Sequence, residues 1–349
     1  MSADFSVIEG EYLRDILDQP RALDSTFSKL EVSKELRQLA SRLQRGSFGS
    51  IVLTGMGSSF HALHPLHLEL IESGFHSLMV ESSELIHYQD GLFDRKNLIV
   101  AVSQSGRSAE VVRLLKSNRG RSPIIGVTNT AGSPLAKNAA ASVVTDAGEE
   151  FSVSCKTYVA SLLGLRWLAE VMRRGDLGRI RSDLKSASAF TAEYLASWKT
   201  HVQQLGQRLS QARRLFLVGR GPSLAAVGTG SLIVKEADHF PAEGMSSAAF
   251  RHGPFEMVGN ETFVGVFAGE KKTRELNRSL FQDIRERQGA TEWIGEDSNF
   301  APFLLPKAPR SVMPVLEILP VQMITLALAA LVGREAGRFT FCSKVTTEE

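Results

Sequence analysis

The sequence is poor in cysteine: Cys155 and Cys342 are the two in 349 residues, far apart and without CxxC spacing. That excludes a disulfide framework and a thiolate zinc site, and it fits a reducing, cytoplasmic compartment. Neither sign of charge is in excess. Forty Lys+Arg stand against thirty-eight Asp+Glu, a net charge of +2, so there is no basic field for nucleic acid or for an anionic membrane surface. Long apolar runs are missing as well. The most apolar stretch, Val321 to Gly333, is shorter than the roughly twenty residues a membrane helix needs, and it reads as a buried helix after Pro320. The first twenty residues carry acidic side chains and no apolar core stretch, unlike a signal peptide. Glycine and proline are near the globular average, which excludes collagen-like and disordered chains. No GxxxxGK[ST] occurs, and Gly55-x-Gly57 is not completed by a third glycine, which argues against a nucleotide. These absences leave a small molecule as the expected partner, with no nucleic acid and no membrane.

What is present is a repeat. Ile51-Val52-Leu53-Thr54-Gly55-Met56-Gly57-Ser58-Ser59 is a strand-like run ending in a Gly/Ser turn, followed by a helical pattern around Leu66 and Leu70. The same grammar returns 164 residues later at Leu215-Phe216-Leu217-Val218-Gly219-Arg220-Gly221-Pro222-Ser223, followed by the helical stretch Leu224 to Ala237. The same offset carries Leu98–Val102 onto Thr262–Val266. Two matches at one spacing argue for duplication. In the first half, short β-branched runs at 51–54, 77–81, 98–102, 123–128 and 142–145 alternate with helix-length stretches, the pattern of βαβ units and a parallel sheet.

The fold class is therefore α/β, with two tandem doubly wound parallel-sheet domains. An N-terminal helical extension spans 1–45, the first domain 46–175, a helical connection 176–212, and the second domain with its C-terminal tail 213–349. Ligands of open parallel sheets bind beyond the carboxyl ends of the strands. Gly57, Ser58 and Ser59 follow the first strand there, and Ser103-Gln104-Ser105-Gly106-Arg107-Ser108 follow the third. Hydroxyls and backbone N–H groups at helix N-termini suit an anion such as phosphate. Turn and cap chemistry alone also uses Ser and Gly, but three serines and a glutamine in six residues exceed what one cap needs. His61, His64 and His67 step by three and drift off one helical face, so no metal site is expected, and no cofactor.

These residues resemble the SIS (sugar isomerase) domain family, in particular the isomerase half of the glutamine–fructose-6-phosphate aminotransferases (glucosamine-6-phosphate synthases) and stand-alone phosphosugar isomerases and deaminases. The resemblance runs through Asp15–Leu23, Gly57-Ser58-Ser59, Ser82-Ser83-Glu84-Leu85, Ser103–Ser108, Ser152–Thr157, Gly219-Arg220-Gly221, Lys235-Glu236, Phe250-Arg251-His252-Gly253-Pro254 and Ser343–Thr346. It implies a flavodoxin-like fold for each domain and a sugar phosphate, a hexose or amino-hexose 6-phosphate, as ligand. It implies that Ser59, Ser103, Gln104, Ser105 and Ser108 hold the phosphate, and that Gly57, Ser58, Val153 and Ser154 line the sugar. By the same resemblance Glu236 is the carboxylate that moves a proton between carbons 1 and 2. His252 is the histidine that opens the sugar ring, reaching the site from a neighbouring subunit, and Lys344 is the tail lysine able to form an imine with the open-chain keto sugar. A homodimer with shared active sites follows.

The chemistry asks for these groups on its own account. A proton on carbon beside a carbonyl needs one base that takes and returns it, and a partly desolvated carboxylate has a pKa raised toward that work. An imidazole exchanges protons near neutral pH, and an amine attacks a carbonyl when unprotonated.

The departures narrow the reading. Ile233 stands where the synthases have a lysine three residues before the glutamate. Ala249 replaces an acidic residue, and Arg338-Phe339-Thr340-Phe341 replaces an Asp-x-Pro-Arg signature. No glutaminase domain precedes the repeat in this sequence, so synthesis of an amino sugar from glutamine is not expected without a separate source of ammonia. The expectation is an isomerase or deaminase of a sugar or amino-sugar 6-phosphate. A deglycase of sugar-phosphate amino-acid adducts and a non-catalytic sugar-phosphate sensor are the alternatives.

Overall fold

The computed structural model describes residues 5–341 and 343–346. It contains two wholly parallel sheets. The first comprises β1 (Ser50–Gly55), β2 (Ser77–Glu81), β3 (Asn97–Val102), β4 (Ile124–Thr128) and β5 (Ala141–Val144) in the order β2-β1-β3-β4-β5. The second comprises β6 (Arg214–Gly219), β7 (Ala242–Ser246), β8 (Thr262–Phe267) and β9 (Ala290–Ile294) in the order β7-β6-β8-β9. The expected pair of parallel α/β sheets is present, and the order of the first is that of flavodoxin-like sheets.

The strands read as near-continuous apolar runs because both faces of each sheet are covered. On one face of the first sheet Val52, Ile99, Ala101 and Ile124 pack with Val111 and Leu114 of the helix Ala109–Asn118. On one face of the second, Phe216, Val218, Val264 and Val266 pack with Leu280 and Ile284 of the helix Lys271–Glu286. The duplication is visible in the register. Ser50 opposes Asn97 in the first sheet, and Arg214 opposes Thr262 in the second. The offset is therefore 164 residues at β1 and β6 but 165 at β3 and β8, a one-residue slip relative to the single spacing expected from the sequence.

Compact units form from distant parts of the chain. One unit holds residues 21–149, 156–188 and 343–346, with the first sheet; the other holds 5–20, 150–155 and 189–341, with the second. Helices occupy Glu11–Leu17, Gln19–Lys29 and Lys34–Gln44 ahead of β1, and Leu177–Lys185, Ala187–Leu195 and Trp198–Leu209 ahead of β6. The buried apolar helix expected after Pro320 is Leu319–Val332; it starts earlier than expected, with Pro320 in its first turn, where a missing N–H costs nothing. Met313–Val332 is long and apolar enough to cross a membrane by length and composition, but 89% of its apolar window is buried within the fold, as in a core helix.

Two glutamines fix the N-terminal segment to that core helix. Gln19 Nε2 donates to Gln322 Oε1 at 2.8 Å, Gln322 Nε2 donates back to Gln19 Oε1 at 3.0 Å, and neither side chain is exposed to solvent. Gln19 Nε2 also donates to the Ile16 carbonyl at 2.9 Å. Buried amides are tolerated when each donor and acceptor is matched, and removing one partner strands the other. Gln322→Leu is expected to destabilise the protein by about 1–3 kcal/mol, and Gln19→Leu combined with Gln322→Leu to recover most of that loss. Denaturant unfolding of the two single variants and the double variant measures this; additive losses would show that the pair is not coupled.

Candidate functional site

In the unit of the first sheet, the turn after β3 is built as a set of donors. Ser103 and Ser105 are buried, and Gln104 and Ser108 are half-buried. The Gly106 N–H donates to Ser103 Oγ at 3.1 Å, and the Arg107 N–H to Ser105 Oγ at 3.3 Å. Ser108 is the N-cap of the helix Ala109–Asn118, its hydroxyl oxygen accepting from the Val111 N–H at 3.5 Å. Each hydroxyl oxygen is thus engaged by the loop's own backbone, which leaves its O–H able to donate to an anion. The Gln104 carbonyl accepts from the Asn129 N–H at 3.0 Å and from Thr128 Oγ1 at 3.2 Å, fixing the loop to the end of β4. Gly106 has φ +61°, and a Cβ there would meet the Ser133 side chain and lie 2.8 Å from Thr128 Oγ1, so the turn requires glycine.

Gly57, Ser58 and Ser59 form the first turn of the short helix Gly57–His61 after β1, all half-buried. Lys344, half-buried, belongs to the same unit. Two residues beyond it the Thr346 carbonyl accepts the Ala109 N–H at 3.1 Å. The tail is therefore tied to the first turn of the helix that the serine loop caps.

Nearby in the same unit, His61 and His64 stack with ring centroids 6.3 Å apart, and His67 Nδ1 lies 3.0 Å from Ser77 Oγ. Burial, with His61 and His67 adding, lowers the pKa of His64 to about 4, so its ring is neutral at physiological pH. Among the described residues no cluster of three His, Cys, Asp or Glu is placed to hold a metal ion.

In the unit of the second sheet, Glu236 lies half-buried in the last turn of the helix Leu224–Asp238. Gly337 joins that helix end to the segment carrying Val153 and Ser154. Its N–H donates to the Ala237 carbonyl at 3.2 Å, and its own carbonyl accepts from the Ser152 hydroxyl at 2.6 Å. Its φ is +76°, and a Cβ would lie 2.9 Å from the Tyr12 ring. The segment is held from two other sides: Asp15 Oδ2 accepts the Phe151 N–H at 2.9 Å, and Glu150 Oε1 accepts the Cys155 N–H at 3.0 Å. Val153 is fully buried and Ser154 half-buried. Cys155 is a buried thiol; Cys342 lies outside the described residues. His252 is exposed, at the C-terminal cap of the helix Ser247–Arg251.

Two ionisable groups around Glu236 were not singled out from the sequence. The fully buried Tyr12 phenol lies 3.3 Å from Thr325 Oγ1. Burial first, then Cys155, Asp238 and Glu236, push its pKa well above the usual range, with the Thr325 contact opposing them. Asp238, two residues after Glu236, is 8% exposed, and neither carboxylate oxygen has a hydrogen-bond partner among the described residues. Burial pushes its pKa well above the usual carboxylate range, opposed by Arg334. Buried ionisable groups with displaced pKa values beside a proton-transfer candidate mark functional surroundings. In the sequence Asp238 was one more polar residue at a helix end.

Residues 47–171, which span the first sheet, match the model of the SIS domain. Over 97% of its length the chain is 27% identical to a glutamine–fructose-6-phosphate aminotransferase [isomerizing] of Pyrococcus horikoshii. It spans 57% of that relative's length. The fold is similar to that of the C-terminal domain of the glucosamine-fructose-6-phosphate aminotransferase from Francisella tularensis, with a TM-score of 0.82 and 20% identity over 96% of this chain and 100% of that one. It is also similar to that of a glucosamine-6-phosphate deaminase from Thermotoga maritima, with a TM-score of 0.78 and 19% identity over 97% and 100%. The similarity to these proteins thus extends over nearly all of the chain.

Asp238 carries a pH-dependent expectation. Its folded-state pKa is raised, so the folded chain keeps this proton at pH values where the unfolded chain has released it. The group's contribution to stability is therefore full below the ordinary carboxylate range and declines as pH rises through it. Asp238→Asn, which mimics the protonated form, is expected to raise the unfolding midpoint near pH 7 and to change it little near pH 4. Thermal unfolding at the two pH values tests this, and a loss of stability at both would contradict it.

Proposed function

We propose that the protein is an enzyme that moves a proton between carbons 1 and 2 of a sugar or amino-sugar 6-phosphate, as an isomerase or deaminase. The observation that carries this reading is the donor loop Ser103–Ser108, whose serine oxygens accept from the loop's own backbone and whose hydroxyls remain to bind phosphate. Ser59 and Gln104 add to it, while Gly57, Ser58, Val153 and Ser154 line the sugar. Glu236 is the base that takes the proton from one carbon and returns it to the other, so that no net charge is left on the sugar. His252 exchanges a proton with the ring oxygen as the ring opens. Lys344 forms an imine with the open-chain carbonyl, losing its proton and releasing water, and imine hydrolysis regenerates the amine. The shared fold and the similarity to an aminotransferase relative over 97% of the chain support the substrate class. The compartment expected for such chemistry is the cytoplasm.

Proton NMR in heavy water with hexose and amino-hexose 6-phosphates and their amino-acid adducts tests the reading. The wild type should exchange the carbon 1 or carbon 2 proton of one of them. Glu236→Gln should retain binding and lose exchange by about a hundredfold or more. Exchange confined to the amino-acid adducts would make the protein a deglycase. Binding without any exchange would make it a sensor and overturn the enzymatic reading.

His252 is exposed on its own chain, which suits a side chain that serves the site of a second copy. In a dimer with shared sites, mixing inactive Glu236→Gln with inactive His252→Asn and allowing subunits to exchange should restore about a quarter of wild-type turnover, since half the dimers then carry one intact site. No recovery on mixing would show that each chain supplies its own histidine.

A further inference from the structure

The second sheet has a switch point of its own, between β6 and β8, where connections leave in opposite directions and ligands of such sheets bind. A cavity of about 260 Å³ opens there, among the segments that follow β6, β8 and β9 and the turn before the core helix. That is below the roughly 300–1,000 Å³ of pockets for drug-sized ligands, so a ligand enclosed in it is small. Its wall carries both signs of charge, Glu270, Glu296 and Glu317 against Lys271, Arg274 and Arg310. Ile294, Leu305 and Met313 give it an apolar side. The place duplicates that of the serine loop, but where the Ser108 hydroxyl caps its helix, Glu270 stands at the cap position of the helix Lys271–Glu286 and makes no capping hydrogen bond.

The protein itself answers part of this charge. Glu270 pairs with Arg310 and, at 3.5 Å, with Lys272, and Glu296 Oε1 accepts the Ala308 N–H at 3.3 Å. Arg274 is answered only loosely. Its Nε has no hydrogen-bond partner among the described residues, its Nη2 donates to the Gly269 carbonyl at 3.5 Å, and its Nη1 lies 3.9 Å from Asp297. A guanidinium has five N–H donors, so this one has donors to spare. Glu317, 5% exposed, accepts from the Ser223 hydroxyl at 2.6 Å with one oxygen, and the other has no hydrogen-bond partner among the described residues. Burial raises its pKa, the Ser223 contact opposes, repulsion by Glu270 adds, and with no cation offsetting them the value is about 7. Arg274 and Glu317 therefore line one cavity without neutralising each other.

We propose that this cavity is a second ligand site, for a zwitterionic α-amino acid with an apolar side chain, whose carboxylate accepts from Arg274, whose ammonium donates to Glu317, and whose side chain lies against Ile294, Leu305 and Met313. A simple anion would answer Arg274 and leave Glu317 as it is, and a simple amine would do the reverse. A ligand carrying both charges completes both partners at once. The site is independent of the reading of Glu236 and of the serine loop.

Calorimetric titration of the full chain with L-leucine tests the proposal, beside isopentylamine, which lacks the carboxylate, and isocaproate, which lacks the amine. Leucine should bind at millimolar concentration, and each analogue about tenfold or more weakly, the scale of one lost charged hydrogen bond. Arg274→Gln and Glu317→Gln should each weaken leucine by a similar factor. Because a bound ammonium holds Glu317 charged, leucine affinity should fall by about tenfold from about pH 8 to about pH 6 in the wild type and stay level in Glu317→Gln. Should either variant not fold, Ala308→Phe, which fills the cavity from a half-buried loop position, should abolish leucine binding. Inorganic phosphate should not displace leucine. No leucine binding, equal binding of either analogue, affinity unchanged in these variants, or displacement by phosphate would each overturn the proposal.

Discussion

The geometry around Glu236 depends on a pair of amides that never meets water. Gln19 and Gln322 satisfy each other in both directions, and this match gives the N-terminal segment one position along the core helix Leu319–Val332. A hydrophobic contact at the same place would tolerate sliding, since apolar attraction has no direction. From that anchor Asp15 receives the Phe151 N–H and Tyr12 reaches Thr325. Gly337, pressed against the Tyr12 ring, holds Ser152 on one side and the Ala237 carbonyl on the other. The segment Ser152–Ser154 and the turn bearing Glu236 are therefore fixed to a common frame by directed hydrogen bonds. A proton-transfer site needs such a frame, because displacements of an ångström cost large factors in rate.

Duplication supplied two switch points from one grammar, and the two have diverged in the side chains they present. The first presents hydroxyl protons around a helix N-terminus; the second sets the Glu270 carboxylate at the equivalent cap and the buried Glu317 behind it. The backbone plan is shared, since Ser50 opposes Asn97 as Arg214 opposes Thr262. The difference lies in the short segments after β3 and β8. Fold constrains where a ligand can bind, and loop chemistry decides which ligand it is.

Much of this was legible in the chain. The strand runs at 51–54, 77–81, 98–102, 123–128 and 142–145 correspond to β1 through β5 because a strand covered on both faces must be continuously apolar, and such runs bounded by polar turns are conspicuous. The repeat was visible for the same reason, and its one-residue slip was not, because Leu98–Val102 and Thr262–Val266 are apolar in either alignment. The serine loop stood out by composition. Tyr12 and Gly337 did not, since their importance arises from contacts with partners far away in sequence, Thr325 for Tyr12 and Ser152 for Gly337, and neither did Asp238, whose importance arises from burial. No local periodicity encodes such contacts. Glu317 was hidden in the same way: next to the most apolar helix of the chain, it became informative only when its burial beside Ser223 was known.

Asp238 and Glu317 share a physical logic that separates them from the other buried polar groups. Gln19, Gln322, Thr325 and Ser152 are buried and matched, so folding loses little by enclosing them. Asp238 lacks hydrogen-bond partners, and Glu317 has one oxygen matched. A carboxyl whose pKa is carried from 4.5 to about 7 by burial costs the folded state about 3 kcal/mol at neutral pH. That is a sizeable part of the roughly 5–15 kcal/mol by which a domain is stable. An apolar residue at either position would remove the penalty. Violations of this size are expected where a ligand or a proton supplies the missing partner. One of these carboxyls stands two residues from the proposed proton carrier, and the other faces an open cavity at the second switch point. In both places the stability lost by burying an incompletely partnered carboxylate appears as raised proton affinity.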